Sequence, residues 1–157
     1  MKINESYLNS PLGLLKITLK NDKLVSINYE SNENNLNDIS LDDNNIMIDI
    51  KNQLHDYFEG KRKDFDIQLD IKGTQFEKDV YRALKKVGYG KITTYKELAQ
   101  KSGHPKAYRA VGTALKKNKI PIIIPCHRVL KTDKNIGNYN GGKWRKEKLL
   151  QIEGFLS

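Results

Sequence analysis

Cys126 and His127 stand side by side in a chain of 157 residues that holds no other cysteine. A thiol next to an imidazole can supply a nucleophile and its base, because the thiolate is the reactive form and histidine titrates near neutrality. Pro125 stiffens the backbone just before the pair, and a basic segment follows, which favours ionisation of the thiol. The same residues also fit a buried structural cysteine, the commoner fate of a lone thiol in an apolar run such as Ile120 to Pro125. Adjacent side chains in an extended segment point to opposite sides, so contact between the two needs a local turn or a bridging water. A single cysteine excludes an internal disulfide framework and a Cys-rich zinc finger, and no metal is expected. A glycine-rich nucleotide loop is also missing, so no cofactor is expected.

The elements that must hold this pair read as helices. Thr74 and Glu77 form a capping box opening a helix with Phe76, Val80, Leu84 and Val87 on one face, and Gly88-Tyr89-Gly90 breaks it. A second box, Thr94 with Glu97, opens a short helix that turns Leu98 and Ala99 inward and ends at Gly103. Pro105 can start the next helix, continued by Ala107, Ala110, Val111, Ala114 and Leu115. Two short helices joined in this way have the outline of a helix-turn-helix. Ile120 to Pro125 predicts one short buried strand, and Gly137 to Gly142 a flexible turn able to approach a ligand. A last helix, Lys143 to Glu153, buries Leu149, Leu150 and Ile152 and stops at Gly154.

Upstream, Leu12 to Leu19 and Leu24 to Tyr29 predict a hairpin around Asn21-Asp22-Lys23. Glu30 to Asn45 reads as loop. Ile46, Ile50, Leu54, Tyr57 and Phe58 recur at helical spacing before Gly60, and Phe65, Ile67, Leu69 and Ile71 alternate as in a half-exposed strand. The division falls into residues 1–70, an α/β scaffold, and residues 71–157, which hold the chemistry. Charge follows the same line. The whole chain is +9, but residues 1–70 carry 8 Lys/Arg against 13 Asp/Glu, a net of −5, and residues 71–157 carry 20 against 6, a net of +14. A basic half of that density suggests a polyanion partner, since each neutralised phosphate releases counterions; a solvated Lys-rich surface is the plainer alternative. No apolar run approaches a bilayer span, so no membrane is expected, and the N-terminus lacks the apolar core of a secretory signal, so a cytoplasmic location is expected.

Ile124-Pro-Cys-His-Arg-Val129 resembles the signature of the O6-alkylguanine-DNA alkyltransferases, the methylated-DNA–protein-cysteine methyltransferases. In the family's order also stand Gly73-Thr-x-Phe76 with Val80 and Leu84, Gly90-x-x-Thr-Thr-Tyr95-x-x-Leu-Ala99 and Pro105-Lys-Ala-x-Arg-Ala-Val-Gly112. Asn118, Gly137-Asn-Tyr139 with Gly141, and Glu153-Gly154 complete the pattern, which covers residues 73–154. The resemblance implies a small RNase-H-like α/β N-terminal domain and a helical C-terminal domain with a winged helix-turn-helix DNA-binding motif.

It further implies direct-reversal repair of double-stranded DNA. The base is flipped out of the duplex, with Arg109 as the finger that fills the gap and Tyr95 assisting rotation. Lys96, His104 and Thr132 align with DNA-contacting positions. Cys126 would take the alkyl group from O6-alkylguanine, or O4-alkylthymine, with His127 as base through a water and Glu153 orienting the imidazole. Asn118 belongs to that network; Val129, Tyr139, Asn140 and Gly141 would line the guanine pocket. A thioether product leaves poorly and no second thiol could resolve it, so each molecule, a monomer, would act once. Tyr81 stands for a frequent Trp, Thr94 for a frequent Ser, and Asn140 at a position that varies among relatives. A zinc site found in some relatives is not expected. Three other readings compete: a non-catalytic alkyltransferase-like lesion binder, a helix-turn-helix regulator with an incidental thiol, and a cysteine hydrolase.

Overall fold

The computed structural model describes residues 2–30 and 43–157, divided into two compact units over residues 1–71 and 72–157. In the first, β1 (Ile3–Ser10), β2 (Gly13–Lys20) and β3 (Lys23–Glu30) form an antiparallel sheet in the order β1-β2-β3. The expected hairpin is β2–β3. Asn21 and Asp22 both take positive φ, 50° and 65°, as a two-residue turn between twisted strands requires. β1 has no counterpart among the sequence-based expectations: only Ser6 and Leu8 on it are buried and Ile3 is exposed, so its alternation is faint.

The strand expected over residues 65–71 does not form. That stretch meets β3 in a single parallel bridge, Leu24 with Leu69, through two hydrogen bonds of 2.9 Å made by the Leu24 backbone to Gln68 and Asp70. The helix arrives as α1 (Asn45–Phe58), capped by the Asn44 side chain, which accepts from the Met47 N–H. Its buried stripe is Met47, Ile50, Leu54 and Tyr57, while Ile46 faces out, one residue off the expected register. These pack with Leu12, Leu15, Ile17, Leu19, Leu24 and Ile27 into an apolar core. Burying each large side chain contributes about 1.5–3 kcal/mol. The expected loop over residues 30–45 falls mainly on residues 31–42, outside the described residues.

The second unit runs α2 (Gln75–Lys85), β4 (Thr93–Thr94), α3 (Tyr95–Lys101), α4 (Tyr108–Lys116), a one-turn 3-10 helix (Cys126–Arg128), β5 (Val129–Leu130) and α5 (Lys143–Ile152). The Thr74–Glu77 capping box is complete. The second box is only half made: Thr94 accepts from the Glu97 N–H, but the Glu97 carboxylate accepts from the Thr93 hydroxyl instead. α4 starts three residues after Pro105, which lies in the preceding turn. The Tyr81 hydroxyl donates to the Ala114 carbonyl at 2.6 Å and fastens α4 to α2. The fold class follows the expectation: a sheet-and-helix unit precedes a helical unit built around the α3–α4 pair. Among the described residues no helix is long and apolar enough to cross a membrane.

Candidate active site

The segment before Cys126 is buried as expected, but it is a tight turn and not a strand. Asn118 explains why: its Oδ1 accepts from the Ile120 N–H and its Nδ2 donates to the Ile124 carbonyl, both at 2.9 Å. The chain between folds back on itself, with Ile122 at φ 75°, a costly conformation for a β-branched residue. The same Nδ2 also donates to Cys126 Sγ at 3.3 Å. One side chain therefore shapes the turn and aims a hydrogen bond at the sulfur.

The 3-10 turn over Cys126–Arg128 supplies the local turn that an extended pair would lack. It sends His127 inward, where Nε2 lies 2.7 Å from Glu153 Oε2 and the ring is fully buried. Burial pushes His127 below its ordinary pKa of 6.5, against the raising effect of Glu153. The neutral imidazole then donates Nε2–H to the carboxylate, which leaves Nδ1 as the basic nitrogen. Nδ1 is buried and has no hydrogen-bond partner among the described residues.

Glu153 sits at the C-cap of α5. Besides His127 it accepts from Arg128 Nε and Nη2, at 2.9 and 3.0 Å, and from the Gly90 N–H at 3.2 Å. Burial works to raise its pKa, but the bonds and charges of His127 and Arg128 hold it down to about 2. Gly90 is needed twice over: its φ is +73°, and a Cβ there would stand 3.1 Å from the Glu153 carbonyl. Arg128 also donates to the Val87 carbonyl, so the C-terminal end of α5 is locked to the chain following α2.

Cys126 opens onto a cavity of about 640 Å3. Of the residues singled out in the sequence, Tyr95, Lys96, Arg109, Thr132, Tyr139 and Asn140 line it. Parallel pairing of Thr93 with Val129 and Thr94 with Leu130 brings the start of α3 beside the chain leaving Cys126, which carries Tyr95 to the site. A Cβ on Gly137, itself at φ +75°, would come within 3.5 Å of the Tyr95 hydroxyl. Burial pushes up the pKa of Tyr95, with the Cys126 charge adding to it, so the phenol stays a donor. Asn140 donates to the Lys116 carbonyl, tying the Gly137–Gly142 turn to the end of α4.

Three expected residues lie elsewhere. His104 is turned from the cavity: its Nε2 is 3.1 Å from Asp79 Oδ2 and its ring meets Phe76 edge-on, so it fastens the α3–α4 turn to α2. Val129 and Gly141 are buried outside the cavity lining; their carbonyls accept from Lys146 and Arg145. Sequence reasoning gave no site role to Lys116 and Lys131 on the cavity rim or, inside, to Arg128 and Lys146. A signal for Lys146 existed. It precedes Leu149, Leu150 and Glu153 by three, four and seven residues, so helical periodicity turns it inward with them.

No cluster of His, Cys, Asp and Glu among the described residues is arranged to hold a metal ion. What the arrangement offers is a thiol at the floor of a cavity, a neutral imidazole locked to a carboxylate behind it, and cations on the rim with no carboxylate in the lining.

The ribonuclease-like domain of 6-O-methylguanine DNA methyltransferase matches residues 3–71, and the DNA binding domain of the same family matches residues 75–155. The methylated-DNA–protein-cysteine methyltransferase of Methanosarcina acetivorans is 37% identical over 151 residues, covering 95% of this chain and 97% of the relative. That of Metallosphaera sedula is 38% identical over 148 residues, covering 94% and 90%. The crystal structure of Mycobacterium tuberculosis OGT in complex with DNA superposes with a TM-score of 0.84 at 34% identity, over 95% of this chain and 91% of that one. Both domain matches, in the same order and over nearly the whole length, place the chain in the 6-O-methylguanine DNA methyltransferase family.

Proposed function

We propose that the chain repairs double-stranded DNA by direct reversal, moving the alkyl group of O6-alkylguanine to Cys126 once per molecule. The observation that carries this reading is the position of the sole cysteine, at the floor of a cavity whose lining includes Lys96, Arg109, Lys116 and Lys131 and no carboxylate. Such a rim suits phosphate, and the volume suits a nucleobase swung out of the stack. α3 and α4 present Lys96 and Arg109 to the duplex, and Arg109, exposed at the start of α4, takes the place of the extruded base.

In the transfer, Nδ1 of His127 accepts the thiol proton through a water while Nε2 stays bonded to Glu153. The Cys126 sulfur forms a bond to the alkyl carbon as the carbon–O6 bond breaks, and the electron pair goes to guanine O6. The Asn118 N–H steadies the thiolate that attacks. The product is a thioether, with no second thiol in the chain to displace it. O4-alkylthymine is a second substrate of the same geometry. The chain works as a cytoplasmic monomer, with residues 1–70 as scaffold and residues 71–157 as the working part.

Incubating the protein with an equimolar duplex bearing one O6-methylguanine, followed by peptide mass spectrometry, tests the reading. One methyl on the Cys126 peptide is expected, and Cys126→Ser should bind the duplex and remove nothing. Lesion binding without any adduct would overturn transfer and leave a non-catalytic lesion binder.

A further inference from the structure

Lys146 is fully buried on α5, and the transfer steps above make no use of it. Its Nζ donates to the Val129 carbonyl at 2.6 Å and to the Asn138 carbonyl at 3.3 Å. Val129 begins the chain leaving the Cys126 turn, and Asn138 belongs to the cavity wall. One ammonium thus joins the segment that carries the nucleophile to the segment that walls its cavity. Among the described residues no carboxylate pairs with it; Glu153 is taken up by His127, Arg128 and Gly90.

We propose that Lys146 is a positioning residue for alkyl transfer, which fixes the Val129 and Asn138 carbonyls and lends the buried sulfur of Cys126 a positive charge that offsets part of the cost of forming its thiolate. Burying an ammonium without a counter-ion is costly, so a site that keeps one draws on its charge. The two groups act on each other in opposite senses. Burial pushes the Cys126 thiol up, and Asn118 and then Lys146 pull it down. Burial lowers Lys146 to about 8, and Cys126 works to raise it. The other titratable groups that act on the pair are His127 from the 3-10 turn, Tyr81 from α2, Tyr95 from α3 and Tyr139 from the turn before α5, while Arg128 acts on His127 and Glu153.

The inference rests on Cys126 as the acceptor, so the test reads the thiol without DNA. The rate of iodoacetamide capture is followed from pH 6 to pH 10 in the unaltered protein, Lys146→Gln and Lys146→Arg. Gln keeps an N–H donor and loses the charge; Arg keeps the charge. The Gln variant should move the midpoint up by about one pH unit and slow capture at neutral pH about tenfold, and Arg should restore most of both. An unchanged midpoint in folded Lys146→Gln overturns the proposal. Should that variant fail to fold, Lys146→Arg still decides: arginine keeps its charge above pH 8, where Lys146 loses its own, so capture there should be faster than in the unaltered protein, and equal rates above pH 8 overturn the charge role. Normal iodoacetamide behaviour with no methyl transfer from O6-methylguanine would refute the repair reading and leave the role of Lys146 standing.

Discussion

Lys51 in the first unit and Lys146 in the second are both buried, but they meet different partners. Lys51 Nζ lies 2.7 Å from Asp43 Oδ2, and both side chains are under a tenth exposed. Lys146 meets two backbone carbonyls and the field of a thiol. An ammonium held by a carboxylate has its charge cancelled on the spot, whereas one held by carbonyls keeps a charge that a neighbour can feel. The carboxylates differ in the same way. Asp43 closes an ion pair beside an apolar core, whereas Glu153 gathers His127, both forks of Arg128 and the Gly90 backbone around one reactive site. In the first unit a buried charge completes the packing; in the second it is arranged about an atom that must react.

Glu153→Gln breaks this contrast most severely. It leaves Arg128 buried without its charge partner, which should lower stability by about 3–5 kcal/mol in chemical denaturation. It also unlocks the His127 tautomer, and transfer to Cys126 should fall about a hundredfold or more in single-turnover assays. Acid makes the same point in the unaltered protein. A carboxylate whose folded pKa is held at about 2 against an ordinary 4.5 stabilises the fold above pH 4.5 and loses that contribution as pH falls toward 2. Buried neutral His127 adds an earlier loss, because the unfolded chain takes up a proton below pH 6.5 and the folded chain does not. Stability should therefore decline in two stages, and the stage below 4.5 should be shallower in Glu153→Gln, where Glu77 and Asp79 still contribute to it. Equal slopes below pH 4.5 in both proteins would remove Glu153 from the account.

Arg109 sharpens the contrast between cations inside the second unit and cations on its rim. In the proposed reading Lys146 acts on the thiol itself, whereas exposed Arg109 acts on DNA. Arg109→Ala should slow repair of a duplex lesion by about ten- to a hundredfold, since extruding a base costs a few kcal/mol that the arginine helps to offset. Reaction with free O6-benzylguanine, which needs no extrusion, should stay within about twofold. Equal losses on both substrates would sink the finger role.

How much of this could be read beforehand follows from the same physics. Cys126, His127, Asn118 and Glu153 were legible because a lone thiol, a neighbouring imidazole and a motif in fixed order are signals of residue type. The helices were legible through their caps and apolar stripes, as Thr74 and Glu77 illustrate. Three things were not. β1 buries only Ser6 and Leu8, too few for a period of two. The run Ile120 to Pro125 has the composition of a strand, but Asn118, two residues ahead, bonds both its ends and turns it back. Arg128 and Lys146 carry residue types normally read as solvated, and only their partners reveal why they are inside. His104, at a position aligned with DNA contact, has a partner the sequence did not show: Asp79 and Phe76 hold it in a tether between helices.

The smallest effect on transfer is expected from Lys51→Met, and that smallness is its value. Removing the ammonium leaves Asp43 buried without its partner, so stability should drop by about 1–3 kcal/mol. The apolar replacement preserves most of the stem's packing on α1. Because the Lys51–Asp43 pair lies in the first unit while Asn118, Tyr139 and Lys146, which act on Cys126, lie in the second, the rate of methyl transfer should stay within about twofold at a temperature where the variant is folded. Lys146→Gln, measured beside it, should slow the thiol by about tenfold. A Lys51→Met variant that remained folded yet lost transfer to the same degree would mean that buried charge in the first unit also tunes the thiol, and the two lysines would then not differ in kind.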